Sequence, residues 1–169
     1  MTSSASSSAP KPASTFFEDA TEAPRPNQPR CVSVIALIED DQGRLLLDRR
    51  ADAPVWALIG GKLENDETFV EALRREVHEE TGLNITEYQF FGTFSDPGRV
   101  VAYPDGNILQ LASLAYRVRV SDPTKMRLSP ESTDMRFFDR GELPPRDLAA
   151  VHRPIMRRYL GDKPPPFFD

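Results

Sequence analysis

The stretch GKLENDETFVEALRREVHEETGL, Gly61 to Leu83, constrains this chain more than any other. Its second half sets Glu76, Glu79 and Glu80 at i, i+3 and i+4 inside what the pattern predicts to be one helix. Like charges at those spacings cost a helix roughly 0.2–0.5 kcal/mol per pair, so the arrangement calls for a compensating charge. Thr68 and Glu71 form a T-x-x-E capping box that starts the helix, and Gly82 supplies a left-handed stop. Successive residues turn by about 100°, which places Val70, Leu73 and Val77 in one core-facing sector. Glu76 and Glu80 flank that stripe, and Glu79 lies a little further round. A merely solvating acidic face would centre opposite the core. Three carboxylates at its edge form a partial oxygen cage, which suits Mg²⁺ completed by waters and substrate phosphates. The pair Gly60–Gly61 lets backbone come close to metal or phosphate, and Lys62 and Arg50 are bases placed to meet phosphate charge. His78 projects to the far side and reads as solvated.

The flanking sequence predicts one mixed α/β domain. CVSVIALIED and LLLDRR read as two strands joined by the turn DDQGR, a hairpin, and VWALIGG as a short extended run. After the helix, YQFFGTF reads as a strand, and VVAY, PDGN and ILQLASLAYRVRV as strand, tight turn and long strand. MRFFDR is a further strand, and AAVHRPIMRRYL a helix with Pro154 near its first turn. Residues 1–29 are rich in Ser, Ala and Pro and are expected to be a disordered tail. Residues 30–160 form the expected domain and residues 161–169 a second tail, with Phe16–Phe17 and Phe167–Phe168 as apolar pairs in the two tails. The single cysteine, Cys31, excludes an internal disulfide and cysteine-rich metal sites, which fits a reducing cytoplasm. No secretory signal and no spanning segment are expected. The net charge of −5 disfavours nucleic-acid backbone binding but is compatible with a small anionic substrate beside a metal.

The residues resemble the Nudix family. The box G-x5-E-x7-R-E-U-x-E-E-x-G-U, with U apolar, is matched by Gly61, Glu67, Arg75, Glu76, Val77, Glu79, Glu80, Gly82 and Leu83. Seven fixed identities at roughly one in fifteen each arise by chance on the order of once in 10⁸ starting positions, which removes an accidental acidic helix. The likeness extends from about Arg30 to Leu160. It implies an α/β/α sandwich around a mixed β-sheet. It also implies a Mg²⁺-dependent hydrolase, with Mn²⁺ as a substitute, that cuts a nucleoside diphosphate linked to another group.

Carried over position by position, Glu67, Glu76, Glu79, Glu80 and the Gly60 carbonyl would hold metal. Arg75 would orient glutamates, with Gly61 and Gly82 structural. Glu79, Glu80 and Glu131 are the candidates for general base, and Arg50, Lys62, Trp56 and Tyr103 for substrate binding. Ile59 departs from the proline that many members carry before the glycine pair. Pro97 and Tyr103 fall near, but off, positions associated with ADP-ribose and dinucleoside polyphosphate hydrolysis. An ADP-ribose-like substrate is favoured, and a nucleoside triphosphate comes next. The alternative is a non-catalytic nucleotide sensor, which would usually have lost metal-binding glutamates. RNA-end hydrolysis and isoprenoid diphosphate isomerisation fit the charge and the cysteine count less well. The resemblance leaves a homodimer open.

Overall fold

The computed structural model describes residues 13–143 and 145–169, so the part of the expected tail in residues 1–12 lies outside the described residues. The strands are β1 (Thr15–Phe17), β2 (Cys31–Ile38), β3 (Leu45–Arg50), β4 (Trp56–Ala57) and β5 (Ile59–Lys62), then helix α1 (Phe69–Thr81). Strands β6 (Ile85–Phe94), β7 (Val100–Ala102), β8 (Ile108–Val120) and β9 (Ser132–Phe138) precede helix α2 (Arg153–Leu160). Among the described residues no helix is long and apolar enough to cross a membrane.

The larger sheet is mixed. β2 runs parallel to β8 and antiparallel to β5, while β8 also pairs antiparallel with β6 and β7. A smaller antiparallel sheet has the order β4-β3-β9. β2 is covered on both faces, which is why its sequence alternates so weakly. Val34, Ala36 and Ile38 pack with Leu73 and Val77 of α1, whereas Ile35 and Leu37 pack with Leu45, Leu47, Phe91 and the α2 residues Ile155 and Tyr159. Each such buried side chain contributes about 1.5–3 kcal/mol of apolar transfer. One helix on each side of the sheets makes the mixed α/β sandwich.

The predicted hairpin forms only at its turn. The Asp40 N–H donates to the Arg44 carbonyl at 3.1 Å, and Glu39 bridges Leu45, but β2 and β3 then diverge into different sheets. A strand has two edges, and both edges of β2 are taken, by β5 and β8.

The described parts of both tails differ from the expected disorder. β1 pairs antiparallel with the open edge of β7, and Glu18 accepts from Arg153 at 3.1 Å and Arg157 at 2.8 Å. Phe16 packs beside Val101. At the other end Phe167 is buried 5.0 Å from the ring of Phe91, and its backbone pairs with Phe91 and Thr93. Gly92 permits this approach, because a Cβ there would overlap the Phe167 carbonyl. A Ser/Pro-rich composition underestimates such segments because a sheet edge supplies backbone partners regardless of side chain.

Candidate active site

Helix α1 is built as its sequence predicts. The Thr68 hydroxyl accepts the Glu71 N–H at 3.3 Å, the Glu71 carboxylate accepts the Thr68 N–H at 2.8 Å, and Gly82 closes the helix at φ 71°. Leu73 and Val77 are fully buried, Val70 is half-buried and His78 is exposed. The register therefore turns the box carboxylates towards β5.

Arg75 organises the acidic side. Its guanidinium donates to Glu67 at 2.5 and 2.9 Å, to Glu76 at 2.8 Å, to Glu79 at 3.2 Å and to the Lys62 carbonyl at 3.0 Å. One cation thus serves three box carboxylates and ties the loop after β5 to the helix. Its bonds to Glu67, and then to Glu76 and Glu79, hold Arg75 charged, and the same bond keeps the Glu67 carboxyl below its usual range. Glu79 stays open to solvent, 57% exposed.

Glu80 lies outside the Arg75 cluster and accepts the Gly60 N–H at 3.2 Å. Burial pushes its pKa up to about 8; Glu76 and Asp48 push the same way, while the Gly60 N–H and Arg50 oppose them. Burial likewise raises Glu76, against the pull of Arg75. The two glycines are needed for close approach. Gly60 adopts φ 144°, and a Cβ there would run into the Val34 carbonyl; a Cβ on Gly61 would run into the Glu76 carboxylate.

A cleft of about 790 Å³ is lined by Arg49, Arg50, Asp52, Tyr103, Glu131 and Thr133 among others; none of the box carboxylates lines it, and Arg50 is the cleft residue whose charge acts on Glu80. Arg50 forks onto Asp52 at 2.6 and 2.8 Å, and Asp52 also accepts the Ser14 hydroxyl at 2.6 Å, so the N-terminal arm braces the cleft. Arg49 donates to Asp147 at 2.8 Å. Tyr103 separates the cleft from a smaller hollow on the Lys62 side, and the Lys62 ammonium sits 5.8 Å from its ring centroid. Glu131 is exposed on the turn before β9, where its carbonyl accepts the Ala51 N–H at 2.7 Å.

Arg50, Tyr103 and Glu131 thus come together on one cleft, with Lys62 at its border. Trp56 does not join them. It is 7% exposed, meets the ring of Phe138 edge-on at 4.9 Å, and belongs to the core cluster with Leu45, Leu47 and Leu148. Sequence reasoning missed Arg49, Asp52 and Asp48. The signal for Asp48 was a charge ending an apolar strand, LLLDRR, just ahead of the glycine pair.

Among the described residues no three Asp, Glu, His or Cys side chains already converge as a metal-ligand group. Arg75 and the Gly60 N–H hold carboxylate oxygens instead. The donor set nevertheless fits a hard divalent cation. Glu76 and Glu80 are carboxylates whose charge burial disfavours, and Asp48 keeps a buried oxygen without a hydrogen-bond partner.

A model of the NUDIX domain matches residues 29–159. An ADP-ribose pyrophosphatase of Methanocaldococcus jannaschii is 31% identical over 132 residues, 76% of this chain and 72% of the relative. A nucleoside triphosphatase, NudI, of Escherichia coli is 34% identical over 132 residues, 73% of this chain and 92% of the relative. A NUDIX hydrolase structure from Nitrosomonas europaea superposes with a TM-score of 0.64 at 26% identity, covering 83% of this chain and 78% of that one. With the complete box running from β5 through α1 and the glycine pair closed against the helix, the chain belongs to the Nudix family of hydrolases that act on pyrophosphate bonds.

Proposed function

We propose that this hydrolase requires Mg²⁺, with Mn²⁺ able to substitute, and cuts a nucleoside diphosphate joined to another group, an ADP-ribose-like molecule before a nucleoside triphosphate. The observation that carries this reading is the set of box carboxylates gathered at the glycine pair, with Glu80 on the Gly60 N–H, Glu76 against Gly61, and the cleft residue Arg50 acting on Glu80 by its charge. The ADP-ribose pyrophosphatase relative supports the first substrate class and the NudI relative the second.

Glu76, Glu79, Glu80 and the Gly60 backbone would hold the cation, with Glu67 behind them. When bound, the cation offsets pyrophosphate charge and activates the attacking water. The chain's own groups do the rest. Arg49 and Arg50 draw the phosphates into the cleft, and Asp52 fixes the Arg50 fork for two-point contact. Arg75 keeps Glu67 and Glu76 in register while the site is empty of substrate. Tyr103 presents a half-buried ring to the group beyond the pyrophosphate. Glu79, Glu80 and Glu131 are the carboxylates placed to take the water's proton.

The test incubates the protein with Mg²⁺ and a panel of ADP-ribose, nucleotide sugars, dinucleoside polyphosphates and nucleoside triphosphates. Glu80→Gln runs beside it. Cleavage of ADP-ribose to AMP, absent without metal and in the variant, is the expected result. Preference for triphosphates would move the substrate to the second class. A panel left intact would overturn the reading.

A further inference from the structure

Asp48 is a buried acid that the box does not supply, and unlike buried Asp40, whose carboxylate accepts two turn N–H groups, it keeps an oxygen without a partner among the described residues. It sits on β3 opposite Ala57 of β4 and Met135 of β9. Its strand neighbour two positions back, Leu46, and its cross-strand neighbour Met135 both pack into the cluster formed with α1, so Asp48 points to the α1 side. It is 6% exposed, and its Oδ1 has no hydrogen-bond partner among the described residues. The Ser132 hydroxyl supports the carboxylate, Arg50, Asp52 and Glu131 lie around it, and Glu80 is near enough for the two charges to oppose each other.

A leucine here would extend the apolar cluster, whereas a buried carboxylate oxygen with no partner forfeits its hydration without compensation. The cost is understandable if the partner is not part of the protein. Glu80 comes from the helix side, with one carboxylate oxygen on the Gly60 N–H at 3.2 Å. A buried carboxylate from β3 and a half-buried one from α1, with like charge and with Arg50 and Arg75 committed to Asp52 and to Glu67, form a place for a cation rather than for each other.

We propose that Asp48 is a further residue of the metal centre, using its free Oδ1 to hold, directly or through one water, the divalent cation bound by Glu80. The inference rests on the metal-dependent reading above, and it adds an acid from β3 to a donor set otherwise confined to β5, its following loop and α1. The two Asp48 oxygens then have distinct duties: one faces Ser132 and the other the cation.

The test titrates the full chain with Mn²⁺ in the absence of nucleotide, following free Mn²⁺ by electron paramagnetic resonance, for wild type, Asp48→Asn, Asp48→Ser and Glu80→Gln. Asp48→Asn is expected to weaken Mn²⁺ binding by about tenfold or more. It should also shrink the rise in Tm that Mn²⁺ produces, while the metal-free Tm holds or increases because a buried charge is gone. Asp48→Ser, smaller and uncharged, should weaken binding likewise. Mn²⁺ affinity equal to wild type in both Asp48 variants, with Glu80→Gln impaired, would overturn this inference and leave the metal-dependent reading standing. Absence of Mn²⁺ binding in wild type, or full binding in Glu80→Gln, would overturn that reading and this inference with it.

Discussion

At Glu80, burial and acidic neighbours favour a neutral carboxyl up to about pH 8, against an ordinary value of 4.5. Below the ordinary value the group is protonated whether the chain is folded or not, and no penalty arises. Between the two values the unfolded chain releases the proton and the folded chain keeps it, so metal-free stability falls as pH rises through that window. Glu76 and Asp48, also raised by burial, add the same sign. Urea midpoints measured in EDTA from about pH 5 to 8 are expected to decline, and Glu80→Gln to flatten the decline by an amount on the order of 1–3 kcal/mol. Coincident slopes would mean that the folded environment does not disfavour this charge. Gly61 tests the other side of the contact. Gly61→Ala drives a methyl into the Glu76 carboxylate, which must swing aside, and should reduce Mg²⁺-dependent turnover at least tenfold while changing stability by less than about 1 kcal/mol, read by single-turnover hydrolysis and urea titration.

Among the elements, α1 was the most legible because everything that defines it is local: a capping pair three residues apart, an apolar stripe of period 3.6, a glycine stop. Thr68→Ala removes the reciprocal cap and should cost about 1 kcal/mol, measured as a shift in urea midpoint, with the site intact. The strands were legible as strands but not as partners. β2 and β3 follow one another through a turn tied by Asp40, whose carboxylate accepts the Gln42 and Arg44 N–H groups at 3.0 and 2.9 Å. They nevertheless separate, since β8, 80 residues away by register (Cys31 opposite Leu111), takes one edge of β2. Pairing energy is non-local, and no window around the turn contains it.

Across the molecule, the described parts of both tails dock on the domain, and the C-terminal aromatic pair divides by packing rather than by type. Phe167 is buried against Phe91, whereas its neighbour Phe168 is 70% exposed. Phe167→Ala should therefore cost about 2–4 kcal/mol, and Phe168→Ala should stay within about 0.5 kcal/mol, both read by thermal and urea unfolding. Equal effects would refute the docking of this tail. The same distinction marks what could be known beforehand. The sequence by itself determined α1, the box around it, the glycine pair and which segments between Cys31 and Phe138 are extended, because spacing along a chain sets which residues share a helix face or a strand face. Only the tertiary structure decided that Trp56 turns into the core and that Arg50 is braced through Asp52 by Ser14. It alone decided that Asp48 ends with a free buried oxygen near Glu80. Those outcomes depend on which edges and side chains from distant segments meet, and on which polar atoms are left over once the nearer ones are satisfied.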